Sequence, residues 1–475
     1  MKHLIIVAVF AALFFAIARK TIPTGPYGYD ESDYMHGAKL GLFVNFTDHG
    51  SLPIVDFIRI GLTRGRSASE HRALSEGVRE SDDIAFYRHW HGPMFYYWLI
   101  LASQFAPDAN GVRWASVLFP IASFLIIYFG CLWLTPGREG FLQALLCSAL
   151  FLWSKTTVGS LELAPHQFFV VWFLLALFLL AKMVRTGQRK YFYLACVTAG
   201  SSFSTLEVTF VLVAVILACL FLERRALALD WPFALRSVLL FLGAVLISWP
   251  GAILKLSFLK SYLGIVYLAV FRKSPWGNVS LADTWGRRLL DSPIEWIMVL
   301  AALGLIAAGW RNRNQRYLYP FFLFAILMLL TVGRVPADAP RYALPFMPTL
   351  QILAGCTIAS LLVKRPAAVA YFAVASLCAA LFVTSWIELS KHPWREDPRP
   401  GAILSYIRDN HLDTSTLMVP LAFLPTIHYY FPRTHLRSYE GDSPASKDFE
   451  GKKFDGVLYS TYPVHFQPLH PDVHK

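Results

Sequence analysis

Apolar runs recur along almost the whole of this chain, at about 4–18, 113–134, 140–156, 166–184, 191–203, 208–222, 233–250, 293–310, 317–333, 342–362 and 367–388. Inside a bilayer every backbone N–H and C=O must find its partner within the protein. Such runs therefore cross only as helices, and so many of them must pack on one another. Composition agrees: of 475 residues, 56% are hydrophobic and only 16% are charged, against roughly 25% charged in a typical soluble domain. A disordered chain, a coiled coil and an ordinary soluble enzyme are excluded. The expected fold is an all-α polytopic membrane bundle of about eleven transmembrane helices. Several runs fall short of the roughly 20 residues a straight crossing needs, and short or broken helices are common where a bundle encloses a polar cavity. The first run follows Lys2 and ends at Arg19-Lys20 with no small-x-small cleavage site, so it reads as a retained span.

Charge in the short loops sets the orientation. With a cytoplasmic N-terminus, alternate loops carry Arg138; Lys182, Arg185, Arg189 and Lys190; Arg224 and Arg225; Arg311, Arg313 and Arg316; Lys364 and Arg365. All of these then fall inside, as the positive-inside rule requires. Three long hydrophilic pieces, 19–112, 251–292 and 389–475, fall outside, provided that the aromatic stretch 93–106 lies along the outer interface rather than crossing. Residues 1–388 read as a membrane module and 389–475 as a small extracytoplasmic α/β piece. In the latter, Pro398–Asn410 and Pro425–Phe431 are expected as helices, and Thr416–Pro420 and Phe454–Ser460 as strands. The net charge of +12 fits positive-inside bias plus attraction to lipid phosphates. No zinc-finger or RNA-binding signature accompanies it, which argues against nucleic acid as a partner. All six cysteines fall inside apolar runs and read as small core residues, not as a disulfide framework or a zinc site.

The chemistry-bearing residues gather at the outer ends of the spans. Asp30, Glu31 and Asp33 crowd the start of the first outer loop. Three carboxylates beside a membrane suit acid/base or metal chemistry; a solvated loop with a helix N-cap at Asp30 or Ser32 is the plainer alternative. The loop ends Arg88-His89-Trp90-His91-Gly92-Pro93-Met94-Phe95-Tyr96-Tyr97-Trp98, which offers phosphate ligands set beside an interfacial aromatic belt. Glu207 lies between two short spans on the same side. A carboxylate there either faces a cavity and binds substrate, or is solvated in the interface. In loop 251–292, Lys255, Lys260, Arg272, Lys273, Arg287 and Arg288 alternate with aromatics, which suits a lipid-linked phosphate or an amphipathic helix on anionic headgroups.

Three segments in order carry a family resemblance. An Asp-Glu-x-x-Tyr after the first span, a Pro-x-x-Tyr-Tyr-Trp in the same loop, and Arg341-Tyr342-Ala343-Leu344-Pro345 at the outer end of a late span resemble the GT-C membrane glycosyltransferases. The nearest branch contains protein O-mannosyltransferases, aminoarabinose lipid A transferases and bacterial lipopolysaccharide sugar transferases. The resemblance implies transfer of a sugar, with inversion, from a polyprenyl-phosphate donor to a cell-envelope glycan or lipid on the outer face of a bacterial inner membrane. It implies Asp30 as the general base and Glu31 as its support. Arg88, His89, His91, Arg341 and Tyr342 would bind substrate and stabilise the leaving phosphate. No cofactor is identified, and the resemblance leaves a divalent metal open. One departure stands out: where relatives often carry a second Asp in the next outer loop, this chain has Leu163, with Glu162 beside it and His166 after Pro165. Glu162 and His166 either take over that role or, in the case of Glu162, merely cap the next helix. Two rival functions remain: a transporter or flippase of lipid-linked saccharides, which should show mid-span ionisable residues and an internal repeat, and a non-catalytic assembly subunit.

Overall fold

The computed structural model describes the chain outside residues 44–90, 256–261, 264–265, 267–268, 272–279, 292–312, 337–339, 392–397, 421–422, 440–453, 459–465 and 469–475. The first helix, α1 (Lys2–Thr21), ends where Ile22 turns extended before Pro23, the conformation that proline imposes on its predecessor. A short α2 (Tyr29–Lys39) follows. Beyond the undescribed part of the loop come α3 (Met94–Phe105), α4 (Ala109–Ser116), α5 (Leu118–Leu134), α6 (Arg138–Leu152) and the single turn α7 (Lys155–Val158). Next are α8 (Pro165–Thr186), α9 (Arg189–Phe203), α10 (Thr209–Leu222), α11 (Trp231–Ser248), α12 (Pro250–Lys255) and α13 (Leu281–Asp291). The last long helices are α14 (Tyr319–Leu330), α15 (Met347–Leu362) and α16 (Ala367–Lys391).

Among the described residues, six segments are long and apolar enough to cross a membrane: Lys2–Thr21, Ala109–Leu134, Pro165–Thr186, Trp231–Ser248, Gln315–Arg334 and Ala367–Ser390, with Thr209–Leu222 and Met347–Leu362 as shorter apolar helices. Ten of the expected apolar runs are thus helical over most of their length, and the eleventh, 293–310, lies outside the described residues.

The core is apolar and continuous. Phe10 and Phe14 of α1, Phe124 of α5, Phe151 of α6, Phe169 and Phe173 of α8, and Phe321 and Phe324 of α14 all belong to it. At its far edge α11 turns Trp231, Val238, Leu239 and Ile247 outward, as a lipid-facing helix does.

The basic loops converge on one end of this bundle. There Arg138 donates to the Arg365 carbonyl at 2.8 Å, Lys182 to the Trp133 carbonyl at 2.7 Å and Arg189 to Asp230 at 2.9 Å. The α8 helix runs from the opposite end and stops here at Gly187, whose left-handed φ of 68° releases the chain from the helix.

Residues past 397 form α17 (Arg399–Asp409), β1 (Thr416–Pro420), α18 (Leu424–Tyr430), β2 (His435–Tyr439), β3 (Gly456–Leu458) and β4 (Phe466–Pro468). The sheet order is β2-β1-β3-β4, with β1 parallel to both neighbours and β3 antiparallel to β4. Both expected helices and both expected strands are present, the second strand as Gly456–Leu458; β2 and β4 are additional. Ile403, Ile407, Leu417, Val419, Phe423 and Ile427 make a small core of their own. Through α18 this piece abuts α2: Tyr430 Oη accepts from the Tyr27 N–H at 2.8 Å, and Lys39 donates to the Tyr429 carbonyl at 3.2 Å.

Candidate active site

Asp30 and Glu31 sit in the first turn of α2, behind Gly28 as N-cap. Acidic side chains suit that position, since the helix N-terminus carries partial positive charge. Neither Asp30 nor Ser32 is the N-cap: Ser32 Oγ donates to the Tyr27 carbonyl at 2.8 Å and lies 3.2 Å from Thr426 Oγ1.

The two adjacent carboxylates have opposite surroundings. Glu31 is 11% exposed at its side chain and is fully engaged. Arg113 of α4 donates from Nε to its Oε1 at 3.0 Å and from Nη2 to its Oε2 at 2.5 Å, and the Leu163 N–H donates to Oε1 at 3.0 Å. Arg113 also donates to the carbonyls of Pro23, Gly25 and Pro26. One buried guanidinium thereby ties the turn before α2, the carboxylate of Glu31 and, through it, the loop before α8 into one unit. Asp30 is 46% exposed at its side chain, with Oδ2 accepting from Arg341 Nη2 at 2.5 Å.

Arg341, on the 3₁₀ turn Pro340–Tyr342, joins the second acidic position. Its Nη1 donates to Glu162 Oε1 at 3.0 Å. Glu162 is therefore no helix cap; the N-cap of α8 is Ala164, without a side-chain bond. Leu163 lies in a small core with Tyr34, Met35 and Phe95. Burial pushes the Glu162 carboxyl above its usual range, opposed by Arg341 and reinforced by Glu31 and Asp30. Burial alone would lower the Arg341 guanidinium, but Glu162 and Asp30 outweigh it and hold it well above its usual value. When both carboxylates are ionised, this trio carries one surplus negative charge.

Tyr34 lies one helical turn after Asp30, on the same face of α2. Its ring is 5.8 Å from that of His91. Burial first, then the Asp30 charge, pushes its phenol well above the usual range. His91 Nδ1 is 2.8 Å from Glu207 Oε2, so Glu207 faces inward and is not solvated in the interface. His166, on the first turn of α8, is buried; its ring is 6.1 Å from His91 and 5.6 Å from Tyr342. Among the described residues, its Nδ1 has no hydrogen-bond partner. The Tyr342 ring lies under the Arg341 guanidinium at 5.2 Å. Asp30, Glu162, Arg341, Tyr342, His166, His91, Glu207 and Tyr34 thus form one contiguous polar set at the end of the bundle opposite the basic loops.

Arg88, His89, Lys260, Arg272 and Lys273 lie outside the described residues; Lys255 is on α12, and Arg287 and Arg288 are on α13. Arg113 was missed by the sequence reading, and Tyr34 entered it only as the last residue of the Asp-Glu-x-x-Tyr motif, without a role. Arg113 leaves one trace there, a charge at the edge of an apolar run, which is costly unless it is paired.

Among the described residues, the acidic side chains do not fit a divalent metal as arranged. Asp30 and Glu162 both face a guanidinium. Among the described residues, the only His, Cys, Asp or Glu group with converging ligand atoms is Cys131, Cys147 and Cys356.

Residues 90–249 match the family described as dolichyl-phosphate-mannose-protein mannosyltransferase. That stretch holds His91, Arg113, Glu162, His166 and Glu207, but neither Asp30 nor Arg341. No curated protein sequence matches the chain. Among solved structures, ArnT from Cupriavidus metallidurans bound to undecaprenyl phosphate aligns with TM-score 0.60 and 13% identity, over 92% of this chain and 85% of that one. Its apo state aligns with TM-score 0.58 and 11% identity, over 94% and 87%. The apo oligosaccharyltransferase of Archaeoglobus fulgidus aligns with TM-score 0.52 and 12% identity, over 74% of this chain but only 56% of its own length. The likeness to GT-C membrane glycosyltransferases holds, and at these identities it is the fold that is shared.

Proposed function

We propose that this chain is a membrane glycosyltransferase that moves a sugar from a polyprenyl-phosphate donor to a hydroxyl of a cell-envelope glycan or lipid. The reaction takes place at the extracytoplasmic end of a bundle of about eleven spans in a bacterial inner membrane. The observation that carries this reading is the unequal setting of the two neighbouring carboxylates. Glu31 is saturated by Arg113 and the Leu163 N–H, whereas Asp30 is nearly half exposed at its side chain and oriented by Arg341. Glu31 is then the support and Asp30 the base. A hydroxyl is a poor nucleophile, and a placed base contributes roughly 10²–10⁴-fold. Asp30 takes the hydroxyl proton as the acceptor oxygen attacks the anomeric carbon from the face opposite the phosphate. The carbon–oxygen bond to the phosphate breaks with inversion, and the polyprenyl phosphate leaves with the electron pair. Cationic and hydrogen-bonding groups stabilise that leaving charge; Arg88, His89, His91, His166, Arg341 and Tyr342 are assigned to it. Glu162 takes the place of the second acidic residue that relatives carry, since it shares the guanidinium of Arg341 with Asp30. The undecaprenyl phosphate held by ArnT supports a carrier of that class. No step is assigned to a metal.

The test is transfer by the purified full-length protein in lipid, offered a panel of labelled polyprenyl-phosphate sugars and envelope lipid extract. Labelled product with release of the polyprenyl phosphate is expected. Movement of intact lipid-linked saccharide across the bilayer without product would make the chain a flippase instead.

A further inference from the structure

Three thiols meet deep in the bundle, two from consecutive helices and one from far along the chain, away from the acidic site. Cys131 is on α5, Cys147 on α6 and Cys356 on α15, all buried. Their sulfurs lie within 4.8 Å of one another, and Cys147 Sγ is 3.9 Å from Cys356 Sγ. A three-coordinate thiolate site with metal–sulfur bonds of about 2.3 Å has sulfur–sulfur edges of about 4.0 Å. The spacing is therefore that of a trigonal ligand set before an ion arrives. Helix α15 comes close enough because residue 355 is glycine: a Cβ there would lie 2.9 Å from the Cys147 amide nitrogen and 2.6 Å from its sulfur.

A polar file leads from these thiols to the basic end of the bundle. Thr135 follows Cys131 by one helical turn, and Gln143 precedes Cys147 by one. Thr135 Oγ1 and Gln143 Nε2 both donate to Tyr317 Oη, at 3.1 and 3.2 Å. Gln143 also donates to Glu139 Oε1 at 3.3 Å, and Arg185 donates to Thr135 Oγ1 at 3.3 Å. Packing alone has no need of a polar approach to three cysteines, whereas an entering cation and a departing proton do.

We propose that Cys131, Cys147 and Cys356 bind one soft, thiophilic metal ion of the monovalent copper class. Thiolate ligands select such ions. Zinc requires a fourth ligand in structural sites, and among the described residues no further His, Cys, Asp or Glu joins the group. On binding, three metal–sulfur bonds form; one S–H bond breaks and its proton leaves to water, so that one thiolate offsets the single positive charge of the ion while the other two sulfurs donate lone pairs as neutral thiols. No electron is transferred. The low-dielectric surroundings penalise every negative charge that the ion does not offset. The proposal is independent of the glycosyltransferase reading.

The test uses the full-length protein in nanodiscs, under anaerobic conditions, with copper(I) supplied from a coloured competing chelator. The wild type should withdraw about one equivalent and develop thiolate-to-copper absorption in the near ultraviolet. Cys131→Ser and Cys356→Ser should each weaken uptake by roughly 10–100-fold or more, while Cys196→Ser leaves it unchanged. Failure of the monodisperse wild type to withdraw copper would overturn the proposal without recourse to any variant. So would uptake that survives the triple replacement of Cys131, Cys147 and Cys356 by serine, or uptake of zinc in place of copper.

Discussion

Asp30 and Glu31 are neighbours in sequence, yet replacing each should do different things. Glu31→Gln leaves the Arg113 guanidinium, 1% exposed at its side chain, without its counter-charge. Breaking one partner of such a buried pair costs about 3–5 kcal/mol. The denaturation midpoint of the purified protein should fall steeply for Glu31→Gln and for Arg113→Met. It should recover in large part when the two are combined, because the double variant buries no unpaired charge. An unchanged midpoint for either single variant would remove Glu31 from its supporting role. The acidic pair was legible in the sequence, but its division of labour was not, because Arg113 lies 82 positions from Glu31 and Arg341 lies 311 from Asp30. Only packing brings those charges together. The same holds for the three thiols: their positions along the chain follow no metal-binding spacing.

At the scale of elements, hydrophobic runs and loop chemistry specify most boundaries. Pro165 opens α8 at its first turn and Gly187 closes it in the left-handed region. Gly187→Ala should cost about 1–2 kcal/mol, the penalty of a Cβ in that conformation. It should leave transfer activity intact, since it sits at the end of α8 away from His166. A thermal melt beside an activity assay checks both. Where sequence reading fell short, the determining contacts are remote. Strand β2 is His435-Leu436-Arg437-Ser438-Tyr439, too polar to announce itself. It exists because it lies parallel to β1, across the helix α18. Glu162 was equally ambiguous in sequence, since an acidic residue shortly before a helix reads as a cap until a guanidinium claims it.

For the whole molecule, the grouping of the short basic loops on one side was legible, because positive-inside bias acts through composition and not through contacts; the basic outer loop 251–292 runs against that bias. The structure gathers the basic loops at one end of the bundle and the acidic set at the other. That arrangement makes sidedness testable. A thiol-specific, membrane-impermeant reagent should label Pro107→Cys, at the acidic end, in intact cells. Gln188→Cys, at the basic end, should be labelled only after the membrane is opened. The reverse pattern would place the acidic site in the cytoplasm. The central claim, that this acidic end performs sugar transfer with Asp30 as base, is tested most directly by turnover of Asp30→Asn. In lipid, against a polyprenyl-phosphate sugar that the wild type uses, the rate should fall about 10²–10⁴-fold while the unfolding midpoint stays close to that of the wild type. Transfer at the wild-type rate by folded Asp30→Asn would contradict the assignment of the base.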